Sequence, residues 1–104
     1  MKPTKEAILE RLRELKPQLE AEGIEKIALF GSYATGQSTL YSDIDIAIIK
    51  HKAAQKEMDA YRCFKLLSSL RETLRRTFHR KVDIFDLDSH SPFKKQIENE
   101  LIYV

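Results

Sequence analysis

The chain has 104 residues, 42% of them hydrophobic, enough for one compact unit with a modest core and too few for two, so residues 1–104 read as a single domain. A formal charge of +2 removes any global electrostatic case for a dedicated nucleic-acid binder, and no direct nucleic-acid binding is expected. The single cysteine, Cys63, excludes an internal disulfide and a cysteine-based zinc site, and the charged N-terminal stretch lacks the apolar run of a signal peptide or membrane span, so the expectation is a cytoplasmic protein with no membrane partner.

From Thr4 to Ala21, Ile8, Leu12, Leu15 and Leu19 recur at helical spacing between charged residues, which predicts an amphipathic helix capped by Thr4, kinked or split at Pro17 and ended by Gly23. "IEKIALF" reads as a strand leading straight into Gly31. The following "SYATGQSTLYS" is too polar and broken for a crossover helix, but a short helical turn after Gly31 fits. "DIDIAII" reads as a second strand, whose period of two puts Asp43 and Asp45 on one face and Ile44 and Ile46 on the other.

Residues 55–78 form the longest periodic segment and predict one long helix, with Tyr61, Phe64, Leu67, Leu70 and Leu74 as its apolar stripe. "KVDIFDL" is a third strand between the basic stretch "RRTFHRK" and the turn-like "DSHSP". Pro92 opens a last helix through Leu101, and "IYV" closes the chain. Helix, strand, strand, helix, strand, helix argues an α/β (α+β) fold, a small mixed β-sheet packed with helices.

Two carboxylates about 7 Å apart on one strand face can share divalent cations placed between them and a ligand phosphate, because carboxylate is the hard oxygen ligand that Mg²⁺ takes. Such a site usually needs a third acid. Asp83 is the first candidate, since Val82 and Ile84 beside it would face the core; Asp86 has the opposite parity, so a regular strand cannot point both at one site. Gly31 and Ser32, at the start of a helical turn, offer unpaired N–H groups and a hydroxyl to phosphate oxygens. A phosphate cradle facing a metal-binding acid pair is the arrangement for in-line displacement at a nucleotide phosphate.

Gly31-Ser32, ten intervening residues and then Asp43-Ile44-Asp45 resembles the signature of the polymerase-beta-like nucleotidyltransferase superfamily. The chain is most similar to its minimal nucleotidyltransferase (MNT) branch, the antitoxin half of HEPN/MNT toxin-antitoxin pairs, with "IALFGSYATG", "SDIDIAI" and "VDIFDL" in the family's order. The resemblance implies that Asp43, Asp45 and Asp83 are the catalytic acids and bind Mg²⁺, two ions in number, and that Gly31 and Ser32 bind the triphosphate of ATP, the co-substrate. It implies transfer of AMP to a tyrosine hydroxyl of a HEPN ribonuclease toxin, in a hetero-oligomer. Thr35 departs from the family, standing where many members carry arginine. Arg75, Arg76, Arg80 and Lys81 are the cations left to compensate. Two other functions are weighed against this one: an antitoxin that neutralises by complex formation alone, and transfer to a small-molecule hydroxyl, against which the lack of room for a further helical domain speaks.

Other conspicuous residues have plainer readings. His51, His79 and His90 have no ligand spacing and are assigned no role. "RRTFHRK" is a solvated helix end suited to the helix dipole. Cys63, Tyr61 and Phe64 are read as helix packing, and Tyr33 as packing beside the phosphate loop.

Overall fold

The computed structural model describes residues 2–87 and 92–104, so most of the turn expected at 88–92, with His90, lies outside the described residues. The chain forms α1 (Lys5–Ala21), β1 (Ile24–Phe30), α2 (Ser32–Thr35), β2 (Ile44–Lys50), α3 (Lys52–Glu57), α4 (Ala60–Phe78), β3 (Val82–Asp86), α5 (Pro92–Ile97) and β4 (Ile102–Tyr103). The sheet order is β3-β2-β1-β4, with β1 antiparallel to both β2 and β4 and β2 parallel to β3. It is the mixed sheet expected, in an α+β arrangement. No helix among the described residues is long and apolar enough to cross a membrane.

Strand parity divides the core in two. Ile27 and Leu29 of β1, Ile44, Ile46 and Ile48 of β2 and Val82 of β3 point to one face, where Ile8, Leu12 and Leu19 of α1 and Leu70 and Leu74 of α4 cover them. Ala28, Phe30 and Ala47 point to the other, where they meet Leu87 and Ile97, with Phe85 and Phe93 packed alongside. β1 and β2 are therefore buried on both faces, which explains their nearly unbroken apolar runs.

Four expectations need correction. Pro17 does not split α1, which runs unbroken from Lys5 to Ala21; the buried Ile8 and Leu12 before it and Leu19 after it hold both halves on the sheet and offset the lost N–H. The single helix over 55–78 is two, because Asp59 accepts the Arg62 N–H at 2.7 Å as the N-cap of α4, behind an extended Met58. Tyr61 and Phe64 are not core: they are 69% and 66% exposed. Steps of three walk about 60° round a helix each time, so a stripe of 61, 64, 67 and 70 rotates off its own face, and Tyr61 ends up opposite Leu70. Finally, α5 stops at Ile97 and the tail is a strand, Leu29 pairing with Ile102 and the Val104 N–H donating to the Ile27 carbonyl at 3.1 Å.

Tyr33, on α2, is only 2% exposed and lies in the α1–α4 core, as its packing role requires and too deep to stack on a base. Its hydroxyl is buried without a hydrogen-bond partner among the described residues. Removing that unpaired oxygen while keeping the ring should help the fold, so Tyr33→Phe is expected to raise stability by about 1 kcal/mol, read as a higher urea midpoint at unchanged m-value.

Candidate active site

The site begins where β1 ends. Gly31 has φ +78 and ψ −157, a conformation open to glycine and strained for any side chain, and it turns the chain from β1 into α2. The Ala34 and Thr35 N–H groups donate to its carbonyl, each at 3.0 Å, closing the turn. Gly36, left-handed at φ +81, ends α2. The Thr35 hydroxyl is turned back on the Ser32 carbonyl at 3.5 Å, so no cation reaches out from this position.

Asp45 lies beside Gly31. A Cβ on Gly31 would fall on Asp45 Oδ2, with Cγ at 3.2 Å and Cβ at 3.3 Å. The β1–β2 register produces this contact by pairing Phe30 with Asp45, so the next residue of β1 passes over the carboxylate. On the other side of β2, Asp45 is in register with Asp83 and Ala47 with Phe85. Asp45 and Asp83 thus share the face that carries Phe30 and Phe85, not the α1–α4 face. Phe85 packs edge-on to Phe30 at 5.4 Å, and Phe93 lies 5.1 Å from Phe85, so an aromatic wall backs the two acids.

Asp86 has the parity of Val82 and Ile84 and points to the opposite face, where it pairs with Lys50 at 3.1 Å. Parity therefore separates the two candidates and keeps Asp86 out of the group. Asp43 precedes β2 and pairs with Lys81 at 3.9 Å. The Ile44 N–H donates to the Lys81 carbonyl at 2.9 Å, which holds the starts of β2 and β3 together.

The electrostatics carry the imprint of this crowding. Asp45 is pushed up from an ordinary 3.8 to about 6, first by burial, then by the negative charges of Asp83, Asp43 and Glu100, with Lys81 pulling weakly the other way. Glu100 was not singled out in the sequence. It arrives because β4 returns antiparallel along β1 and brings the residues just before Ile102 past the end of β1. The signal was available in the β-branched tail, which reads as a strand once it is given a partner. The acids share a face and a field; among the described residues no group of three or more His, Cys, Asp or Glu side chains is placed to hold a metal ion as the side chains stand.

The profile described as "Polymerase beta, Nucleotidyltransferase" matches residues 13–104. The chain belongs to the polymerase beta nucleotidyltransferase family. Two proteins of Methanocaldococcus jannaschii, each provisionally named a protein adenylyltransferase, are similar to this nucleotidyltransferase. One is 41% identical over 83 residues, spanning 78% of this chain and 77% of its own length; the other is 39% identical over 102 residues, spanning 93% and 94%. Among solved structures, the toxin-antitoxin MntA-HpeT, with two aspartates one residue apart changed to glutamate, superposes with a TM-score of 0.58 at 25% identity over 97% of this chain and 72% of that one. A toxin-antitoxin solved with AMP-PNP superposes at 0.50 with 30% identity, over 86% of this chain and 61% of that one. These likenesses put the nucleotidyltransferase in the minimal branch that its sequence resembles, and its reaction class is nucleotidyl transfer.

Two predictions follow from the crowding at Asp45. In EDTA, a carboxyl whose folded value is raised stabilises the fold fully below pH 3.8 and loses that contribution as the pH climbs through about 6. Asp45→Asn cannot ionise, so urea titrations across this range should lose that slope and place the variant above the wild type at pH 7.5, by on the order of 1 kcal/mol after solvent screening. Gly31→Ala is expected to lower stability by about 1–3 kcal/mol through its positive φ and its collision with Asp45, and a double substitution with Asp45→Ala should recover the collision part.

Proposed function

We propose that this nucleotidyltransferase is an antitoxin that moves AMP from ATP to a tyrosine hydroxyl of a HEPN-type ribonuclease toxin and so silences it. Residues 1–104 act as one catalytic domain, in the cytoplasm, where a thiol such as Cys63 stays reduced. The observation that carries the reading is the seating of the Asp45 carboxylate against the bare Gly31 backbone with Asp83 across in register, which sets carboxylate oxygens directly beside the glycine turn. The M. jannaschii proteins named as adenylyltransferases support the reaction, and the two toxin-antitoxin structures, one with AMP-PNP, support the nucleotide and the class of partner.

Each residue then has a task. Gly31 lets the triphosphate approach the backbone, and Ser32 offers its hydroxyl and the unpaired N–H groups of the first helical turn to phosphate oxygens. Asp43, Asp45 and Asp83 hold Mg²⁺. Their chemistry fits that ion: the donors are all oxygen, their negative charge exceeds what Lys81 balances, and an open set of carboxylates suits an ion that fills its remaining positions with phosphate oxygens. Bound Mg²⁺ supplies neutralisation of charge on the phosphates. Asp83 also orients the acceptor hydroxyl and takes its proton. The hydroxyl oxygen bonds to the α-phosphorus as the bond from that phosphorus to the bridging oxygen breaks, and pyrophosphate leaves with the electron pair. The Phe30–Phe85–Phe93 wall excludes water from behind the acids.

The test uses α-labelled ATP, Mg²⁺ and a candidate HEPN-type partner protein. Label is expected on a tyrosine of that protein and should fall by at least about a hundredfold with Asp45→Asn. Full inhibition of the ribonuclease without ATP, and again with Asp45→Asn, would replace the catalytic reading by neutralisation through complex formation.

A further inference from the structure

We propose that the basic cleft beside Asp83 is the docking site for an acidic polypeptide segment that carries the acceptor hydroxyl. This rests on the nucleotidyl-transfer reading above and adds the chemistry by which the acceptor is chosen. The cleft, of about 650 Å³, lies between the last turns of α4 and the start of β3, with Arg71, Arg75, His79, Arg80 and Lys81 beside Asp83 on its walls. Four of these, Arg75, His79, Arg80 and Lys81, come from the basic stretch whose plainer reading is a solvated helix end.

Position comes first. β2 lies between β1 and β3, so the Gly31–Ser32 turn at the end of β1 and Asp83 of β3 flank Asp45 from opposite sides, each about one strand spacing of 4.8 Å away, and the cleft reaches this row at Asp83, around the edge of β3 from α4. In-line displacement requires the nucleophile to enter opposite the leaving group. With the triphosphate on the β1 side, the attacking hydroxyl comes from the β3 side, through this cleft.

Chemistry comes second. Arg75 is held by Glu72 through two contacts of 2.6 and 3.0 Å, which fixes its guanidinium at the rim. Arg80 donates from Nη1 to the His79 carbonyl at 2.9 Å, while its buried Nε has no partner among the described residues. Lys81 pairs with Asp43 only at the long distance of 3.9 Å, with its side chain 71% exposed. His79, left-handed at φ 54, turns the chain so that α4 and β3 both contribute. Positioned guanidinium groups with unused donors are receptors for carboxylates or phosphates. Carboxylates of a polypeptide are the better match, because Asp43, Asp45, Asp83 and Glu100 crowd the next part of the face and would repel a nucleic-acid strand running onward from the cleft.

The experiment uses short peptides with a central phenylalanine or tyrosine flanked by four Glu or four Gln residues. Calorimetry with the non-reacting phenylalanine peptides should show the Glu-flanked form binding about tenfold more tightly, the equivalent of one charge-assisted hydrogen bond. That preference should disappear in Arg71→Gln and in Arg80→Gln, persist in Lys65→Gln on the exposed side of α4, and weaken with salt. Equal binding of the two peptides by the wild type overturns the proposal. So does displacement of the Glu peptide by a single-stranded RNA oligomer whose tighter binding depends on the same arginines, which would assign the cleft to nucleic acid. A charge preference without label transfer to the tyrosine peptide or to the partner protein sustains the docking site and counts against the adenylyltransferase reading alone.

Discussion

Gly31 passes over the Asp45 carboxylate so closely that not even a single methyl group fits between them. Much else in the structure serves or follows from that approach. The antiparallel register of β1 and β2 determines which residue lies beside the turn, and the parallel register of β2 and β3 determines which acid lies on the far side. Burial of both central strands keeps those registers from slipping, since a one-residue shift would drive Ile44, Ile46 and Ile48 out of the α1–α4 core. The cost appears as the suppressed ionisation of Asp45, a carboxyl held among others in a partly dry place. Such strain is typical of a place that binds something of opposite charge.

The strands that build the site were legible because their pattern is short-range: alternation within "DIDIAII" and "KVDIFDL" sorts acids from isoleucines without knowledge of any partner. The same parity argument ranked Asp83 over Asp86, and the Lys50 pairing gives the physical reason. Long-range features were harder to read. Glu100 enters through the pairing of β4 with β1, a contact that no local period encodes, and the sequence pattern alone puts it near the end of a helix. The α4 face was misread for another reason. Steps of three resemble helical spacing over one turn and drift off it over three, so a stripe through Tyr61 and Phe64 leads out to solvent. At Pro17 and Asp59, tertiary packing and a side-chain cap respectively decided where helices continue and stop.

The charges are segregated with the same economy. Acids occupy the face shared by β2 and β3 and the approach to β4, and cations gather where α4 hands the chain to β3. A formal charge of +2 hides this division, because the two groups nearly cancel in the sum. Thr35 adds no cation on the glycine-turn side, so the positive potential near the site is concentrated on the β3 side.

The parallel pairing of β2 with β3 has a consequence for how the molecule comes into being. Parallel neighbours cannot be joined by a hairpin, so α3 and α4 must be made and folded back before Asp83 can stand beside Asp45. Until that slow closure is complete, the nascent polypeptide holds its glycine turn and first two acids without their third companion. Asp83 therefore joins the other two acids only when the β2–β3 side of the sheet has closed.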